Sequence, residues 1–105
     1  MPVTMDYAAK NVLEEATKLL EIGWCQRKWG YTENNITYYC SLGALIRAQG
    51  NLGYGYGSGP LYIASEKLSK IVGRVHEGGW LSKWNDESMR TKEEVLEAFR
   101  KAQEI

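Results

Sequence analysis

The sequence has one Phe, two Pro, two Cys and one His in 105 residues, and its formal net charge is zero. Each shortage closes off a class of protein. Cys25 and Cys40 lie outside any Cys-x-x-Cys or zinc-ribbon spacing, and His76 stands far from both. No metal site and no redox motif is therefore expected, and the two thiols should be buried and reduced. Five basic and five acidic residues precede Gly53, and eight of each follow. Neither half is a basic arm or an acidic tail, so binding to nucleic acid through bulk charge is not expected. Apolar runs extend only a few residues, far short of the roughly 20 that a membrane span requires. The opening MPVTMDYAAK lacks the apolar core of a signal peptide. The expectation is a cytoplasmic protein without membrane contact.

No nucleophile elbow, HExxH or deaminase signature is present, and neither cysteine has a protease-like context. No catalytic residue and no cofactor is assigned. His76 and Asp86 would be the candidates if the chain were an unrecognised enzyme.

What the sequence does have is Trp and Tyr. Four Trp and seven Tyr stand against the single Phe, a bias toward rings with a polar handle. Such rings suit a pocket or surface that is partly apolar and partly wet. With hydrophobic residues at 44% and charged residues at 25%, the composition is that of one globular domain spanning 1–105.

Apolar periodicity predicts four helices. The first runs from Asp6 to Ile22, with Val12, Leu13, Ala16, Leu19 and Leu20 on one face and Gly23 as a left-handed stop. A second helix is predicted from an N-cap at Asn34 or Asn35 to Gly50, carrying Ile36, Tyr39, Cys40, Gly43 and Ile46. This reading is preferred to a short strand at Ile36-Thr37-Tyr38-Tyr39, where β-branched and aromatic residues cluster. Gly43 inside a helix implies that another element packs against the backbone there. The third helix starts near Pro60, directs Leu61, Ala64, Leu68, Ile71, Val72 and Val75 to the core, and ends around Gly73. A helical turn is expected around Trp80, Leu81 and Trp84. Thr91 and Glu94 form a capping box that opens the fourth helix, with Val95, Leu96, Phe99 and Ala102 inward. The predicted fold class is all-α, an irregular four-helix bundle with long aromatic and glycine-rich loops.

Three segments are candidate ligand-binding sites. The glycine loop from Gly50 to Pro60 carries Tyr54 and Tyr56 ahead of a helix start, where backbone N–H groups can approach an anion. Trp24-Cys25-Gln26 and Trp84-Asn85-Asp86 each set a flat ring beside an amide or carboxylate, the mixture a pocket needs. These segments also suit loops that organise the fold. Arg90 lies within reach of Asp86 and is expected to pair with it or with a ligand. Lys67, Lys70 and Arg74 form a stripe on the third helix, read as a solvated face.

The segments Gly23-Trp24-Cys25-Gln26, Cys40-Ser41-Leu42-Gly43-Ala44-Leu45 and Trp84-Asn85-Asp86, the last followed by Arg90-Thr91-x-Glu93-Glu94-Val95-Leu96, carry a resemblance. In them the chain resembles a small helical bacterial and phage family classed only as domain of unknown function 6197. The resemblance implies a helical fold whose second helix holds a buried cysteine and a close-packed glycine. It implies no activity, cofactor or catalytic residue. The glycine-tyrosine loop departs from the family pattern.

The leading expectation is a non-catalytic module that binds a small, partly anionic, nucleotide-like ligand through Trp24, Gln26, Tyr54, Tyr56, Trp84, Asn85 and Arg90. If phage-encoded, it would act in the host cytoplasm, and sequestering a host defence signal would be one use of it. The alternative is a protein-interaction or self-associating regulatory module, since Trp, Tyr and Arg dominate interface anchors.

Overall fold

The computed structural model describes residues 4–55 and 59–105. Tyr56 lies outside them. The described residues form five helices and one hairpin, in the order α1 (Met5–Ile22), β1 (Gly30–Glu33), β2 (Ile36–Tyr39), α2 (Ser41–Asn51), α3 (Gly59–Val72), α4 (Trp80–Asn85) and α5 (Lys92–Ala102). The fold is helix-dominated, as expected. It is not purely helical, because Gly30–Tyr39 makes a two-stranded antiparallel sheet.

Thr4 caps α1 by accepting a hydrogen bond from the Tyr7 N–H at 3.0 Å. Ala9, Val12, Leu13, Ala16 and Leu20 of this helix are fully buried and form the centre of the core. α2, α3 and α5 all pack on α1. Leu45 and Ala48 of α2, Ala64 and Leu68 of α3, Trp80, Leu81 and Trp84 of α4, and Val95 and Phe99 of α5 complete the cluster.

Gly23 ends α1 in an extended conformation, φ −163° and ψ 131°, not the left-handed stop expected. The chain does not reverse there. It continues as an extended segment beside β2: Tyr39 donates its N–H to the Gly23 carbonyl at 3.1 Å, and Cys25 donates to the Tyr39 carbonyl at 3.0 Å. Gly23 is needed for space, since a Cβ would lie 2.7 Å from the Thr37 carbonyl oxygen.

The predicted N-terminal half of the second helix is the hairpin instead. Asn34 and Asn35 both take left-handed backbone angles, φ 53° and 66°, as a two-residue hairpin turn requires. Local preference for strand in the β-branched and aromatic run after them then prevails. Tyr31 and Tyr38 face each other across the strands with ring centroids 4.8 Å apart, and the Thr32 and Thr37 hydroxyls bond at 3.0 Å. Helical geometry begins only after Cys40, whose Sγ accepts the Gly43 N–H at 3.3 Å and so caps α2. Ile36, Tyr39 and Cys40 are therefore not on the helix.

Gly43 meets the expectation of close packing. A Cβ there would lie 2.2 Å from the Trp29 carbonyl oxygen, where the segment leading into β1 crosses the helix. Helix α3 stops at Val72, and Gly73 follows with φ 73°. Val75, expected inside, is 75% exposed because it lies beyond that stop. The capping box of α5 forms as expected, with Thr91 and Glu94 each bonding the other's backbone N–H. Among the described residues, no helix is long and apolar enough to cross a membrane.

Candidate functional site

The structure brings the two Trp-containing motifs together, and Asn85 is the point where they meet. This side chain is fully buried at the C-terminal end of α4. Its Oδ1 accepts from the Trp24 indole N–H at 2.8 Å, the Ser41 N–H at 3.0 Å and the Ser41 hydroxyl at 2.6 Å. Its Nδ2 donates to the Cys25 carbonyl at 3.1 Å and to Asp86 Oδ1 at 2.9 Å. Gln26 Nε2 donates to the carbonyls of Asn85 and Glu87, both at 2.9 Å. The Arg27 N–H, held at φ 67°, reaches Asp86 Oδ1 at 2.9 Å. The turn after α1, the start of α2 and the end of α4 are thus joined by one amide. Every polar atom of the Asn85 side chain has a protein partner.

Trp84 and Arg90 lie together on another side of α4. Trp84 is buried, and the Arg90 guanidinium stacks on its ring at 4.3 Å. Arg90 also donates Nε–H to the Trp84 carbonyl at 3.0 Å and pairs with Glu94 at 3.2 Å and with Glu87. The expected Asp86–Arg90 pair does not form, because Asp86 is turned toward the Arg27 N–H while Glu87 and Glu94 flank the guanidinium. Tyr54 is separate again: its hydroxyl accepts from Asn11 Nδ2 at 3.2 Å and its N–H donates to the Gln49 carbonyl at 3.0 Å.

The basic stripe of α3 is dispersed. Lys67 reaches Asp6 and the Ile105 carbonyl, Arg74 pairs with Glu87, and Lys70 is exposed. Cys25 and Cys40 are buried free thiols, and burial pushes both thiol pKa values up. For Cys25 the nearby Cys40 adds to the rise. For Cys40 the Gly43 N–H partly offsets it. Such thiols are poor nucleophiles. Among the described residues, no group of three or more His, Cys, Asp or Glu is placed to hold a metal ion.

The free aromatic surface is elsewhere. Trp29 is 64% exposed, whereas Trp80 and Trp84 are at 5% and 4%. A cleft of about 390 Å³ runs between the hairpin and α2. Exposed Trp29 and Tyr31, half-buried Tyr39 and Ile46, and the Thr32 and Thr37 pair line it beside Arg47. Arg47 is the only charged residue in that lining and takes part in no ion pair among the described residues. Gly43 sits at its base, so the close crossing of Trp29 over α2 also shapes the cleft.

Sequence reasoning passed over Trp29, Tyr31 and Arg47. The signal was the hairpin itself: an Asn-Asn pair between two short aromatic and Thr-containing runs. Reading those runs as a helix hid the cleft that they form with the true α2.

No curated protein and no solved structure matches the chain. A family model does match, over residues 5–105, and with nearly the whole sequence inside it the protein belongs to the family described as Family of unknown function (DUF6197).

Proposed function

We propose that this protein is a non-catalytic binding module for a small, flat, partly anionic ligand of nucleotide-like character, held in the cleft between the hairpin and α2. One observation carries the reading: exposed Trp29 stands over a cleft whose only charged lining residue is an ion-pair-free Arg47. A flat ring gains by stacking on Trp or Tyr, and an anionic group gains from a guanidinium that has no carboxylate to satisfy it. The cleft volume of about 390 Å³ falls within the range of small-molecule sites. The Thr32 and Thr37 hydroxyls add groups that can both donate and accept. The residues first suggested by sequence contribute differently. Trp24, Gln26 and Asn85 spend their polar groups on one another and on the backbone, and so position the turn from which the hairpin departs.

The test is thermal unfolding against mono-, di- and cyclic nucleotides and ADP-ribose derivatives. A ligand at a hundred times its dissociation constant adds about 2.7 kcal/mol. For a domain of this size that raises Tm by roughly ten degrees or more. The shift should vanish in Trp29→Ala and in Arg47→Ala. A flat response across the panel rejects the nucleotide-like ligand.

A second reading uses the same face for a protein partner or a second copy. Trp29, Tyr31 and Ile36 are all exposed on one small hairpin, and Trp, Tyr and Arg are the residues that anchor interfaces. Sedimentation separates self-association from the small-ligand reading: a concentration-dependent dimer that Trp29→Ala abolishes favours the second copy.

A further inference from the structure

A second cleft, on the other side of α2, has the opposite character. It lies between α3, the connection from Gly73 to Gly79 and α4, and holds about 380 Å³. We infer that this cleft is a separate ligand site that takes a small organic ammonium with an apolar or aromatic body.

Charge gives the class. Glu77 is the one Asp, Glu, Lys or Arg in the lining. The Glu77 carboxylate takes part in no ion pair among the described residues. Its backbone is nonetheless fixed: the N–H donates to the Val75 carbonyl at 3.0 Å, and the carbonyl accepts from the Trp80 N–H at 3.2 Å. Glu77 is thus fixed at its backbone beside the cleft, and its exposed carboxylate has no ion-pair partner among the described residues.

The rings give the rest of the recognition. Tyr62 and His76 pack as a tilted pair with centroids 4.7 Å apart. Trp80 is buried at 5% exposure, and its indole N–H is already bonded to Ser65 Oγ at 2.9 Å. That N–H is therefore not available to a ligand, and the open aromatic face of the cleft is that of Tyr62, which is 60% exposed. Leu61 and Leu81 add apolar wall. Aromatic faces beside a lone carboxylate are the surroundings that favour an ammonium group, and the leucines cover its hydrocarbon part. An anion would meet the Glu77 charge with no Lys or Arg in the lining to offset it. A Cβ built on Gly78 or Gly79 would have no neighbour within 4 Å, so the backbone leaves the entrance open.

The test uses the full chain and three probes of nearly the same shape: 2-phenylethylammonium, neutral 2-phenylethanol and anionic 3-phenylpropionate. Isotope-edited NMR follows the backbone amides of Glu77, Gly78 and Gly79 and the Trp80 indole, and calorimetry gives the affinities. The ammonium should bind tightest and shift those signals. Glu77→Gln should weaken it by about fivefold, the scale of an exposed ion pair, while 2-phenylethanol binding is unchanged. Tyr62→Ala should weaken the ammonium and the alcohol alike, and Trp29→Ala should leave the ammonium-induced shifts of Glu77, Gly78 and Gly79 unchanged. The proposal is overturned if millimolar ammonium leaves Glu77, Gly78 and Gly79 unshifted. It is equally overturned if 3-phenylpropionate shifts the Glu77, Gly78 and Gly79 signals as strongly as the ammonium does, or if Glu77→Gln does not discriminate between the probes at those signals.

Discussion

The junction around Asn85 and the face of the hairpin use the same kinds of residue to opposite ends. At the junction, half-buried Trp24 and Gln26 close over the fully buried Asn85, and the Trp24 indole N–H, the Gln26 Nε2 and both polar atoms of the Asn85 amide find partners. On the hairpin, Trp29 and Tyr31 stand outside the core beside an ion-pair-free Arg47. The contrast teaches that an aromatic next to an amide is not itself a sign of a ligand site. What decides is whether several chain segments converge on it. Where three do, burial makes every unpaired polar atom expensive and the structure satisfies them internally. Where a single hairpin projects, the rings stay available.

Substitutions should separate the two regions by size and by kind of effect. Asn85→Ala should cost about 4 kcal/mol in urea unfolding, because it leaves the Trp24 indole, the Ser41 N–H and the Cys25 carbonyl unpaired in the interior. A loss under about 1 kcal/mol would mean that water replaces the amide freely and that the junction is not sealed. Gly43→Ala comes next, and it is a test of sign. Helix propensity alone predicts a gain of about 1 kcal/mol. The contact with the Trp29 carbonyl predicts a loss of about 2 kcal/mol, with the hairpin pushed off α2 and its amide signals shifted.

Gln49 provides the counterexample inside the core. It is fully buried on α2, and neither polar atom of its amide has a partner among the described residues. Gln49→Met should therefore raise stability by about 1 kcal/mol, the opposite of what removing the Asn85 amide does. At the capping box, Thr91 holds the Glu94 carboxyl below its ordinary pKa, chiefly through the Thr91 backbone N–H. A lowered folded-state pKa means that this contribution is fully present above the ordinary carboxylate pKa and is lost as the pH falls through the lowered one. The Tm difference between wild type and Glu94→Gln should close on acidification. Trp29→Ala should have the smallest effect on folding, within about 0.5 kcal/mol of wild type, while removing ligand binding. Should Trp29→Ala instead destabilise as strongly as Asn85→Ala, the two regions would not differ as described.

Much of the helical framework was legible because its signals are local. The capping box at Thr91, the apolar stripe from Val12 to Leu20, the proline opening of α3 and the close-packed Gly43 all appear where the sequence places them. The hairpin was misread because Ile36, Tyr39 and Cys40 lie by chance at helical spacing from Gly43, and two left-handed asparagines outweigh that coincidence. The pairing of Trp24 with Asn85 was not readable, since contacts between residues 61 positions apart leave no trace in local pattern. The Trp24 and Trp84 motifs stand out in the sequence as rings beside an amide or carboxylate. Whether their polar groups faced a ligand or each other depended on tertiary burial.

The bonds of Asn85 also bear on the rates of folding and unfolding. Asn85 closes contacts to Trp24 and Ser41 over separations of 61 and 44 residues. Bonds of such long reach require α1, α2 and α4 to be assembled first. They are expected to form in the last part of the folding reaction, so their loss should speed unfolding far more than it slows folding. In a chevron plot of Asn85→Ala, the unfolding arm should rise while the folding arm stays near wild type. The amide at the end of α4 then acts as a latch on the native state, setting how long the domain stays folded more than how quickly it folds.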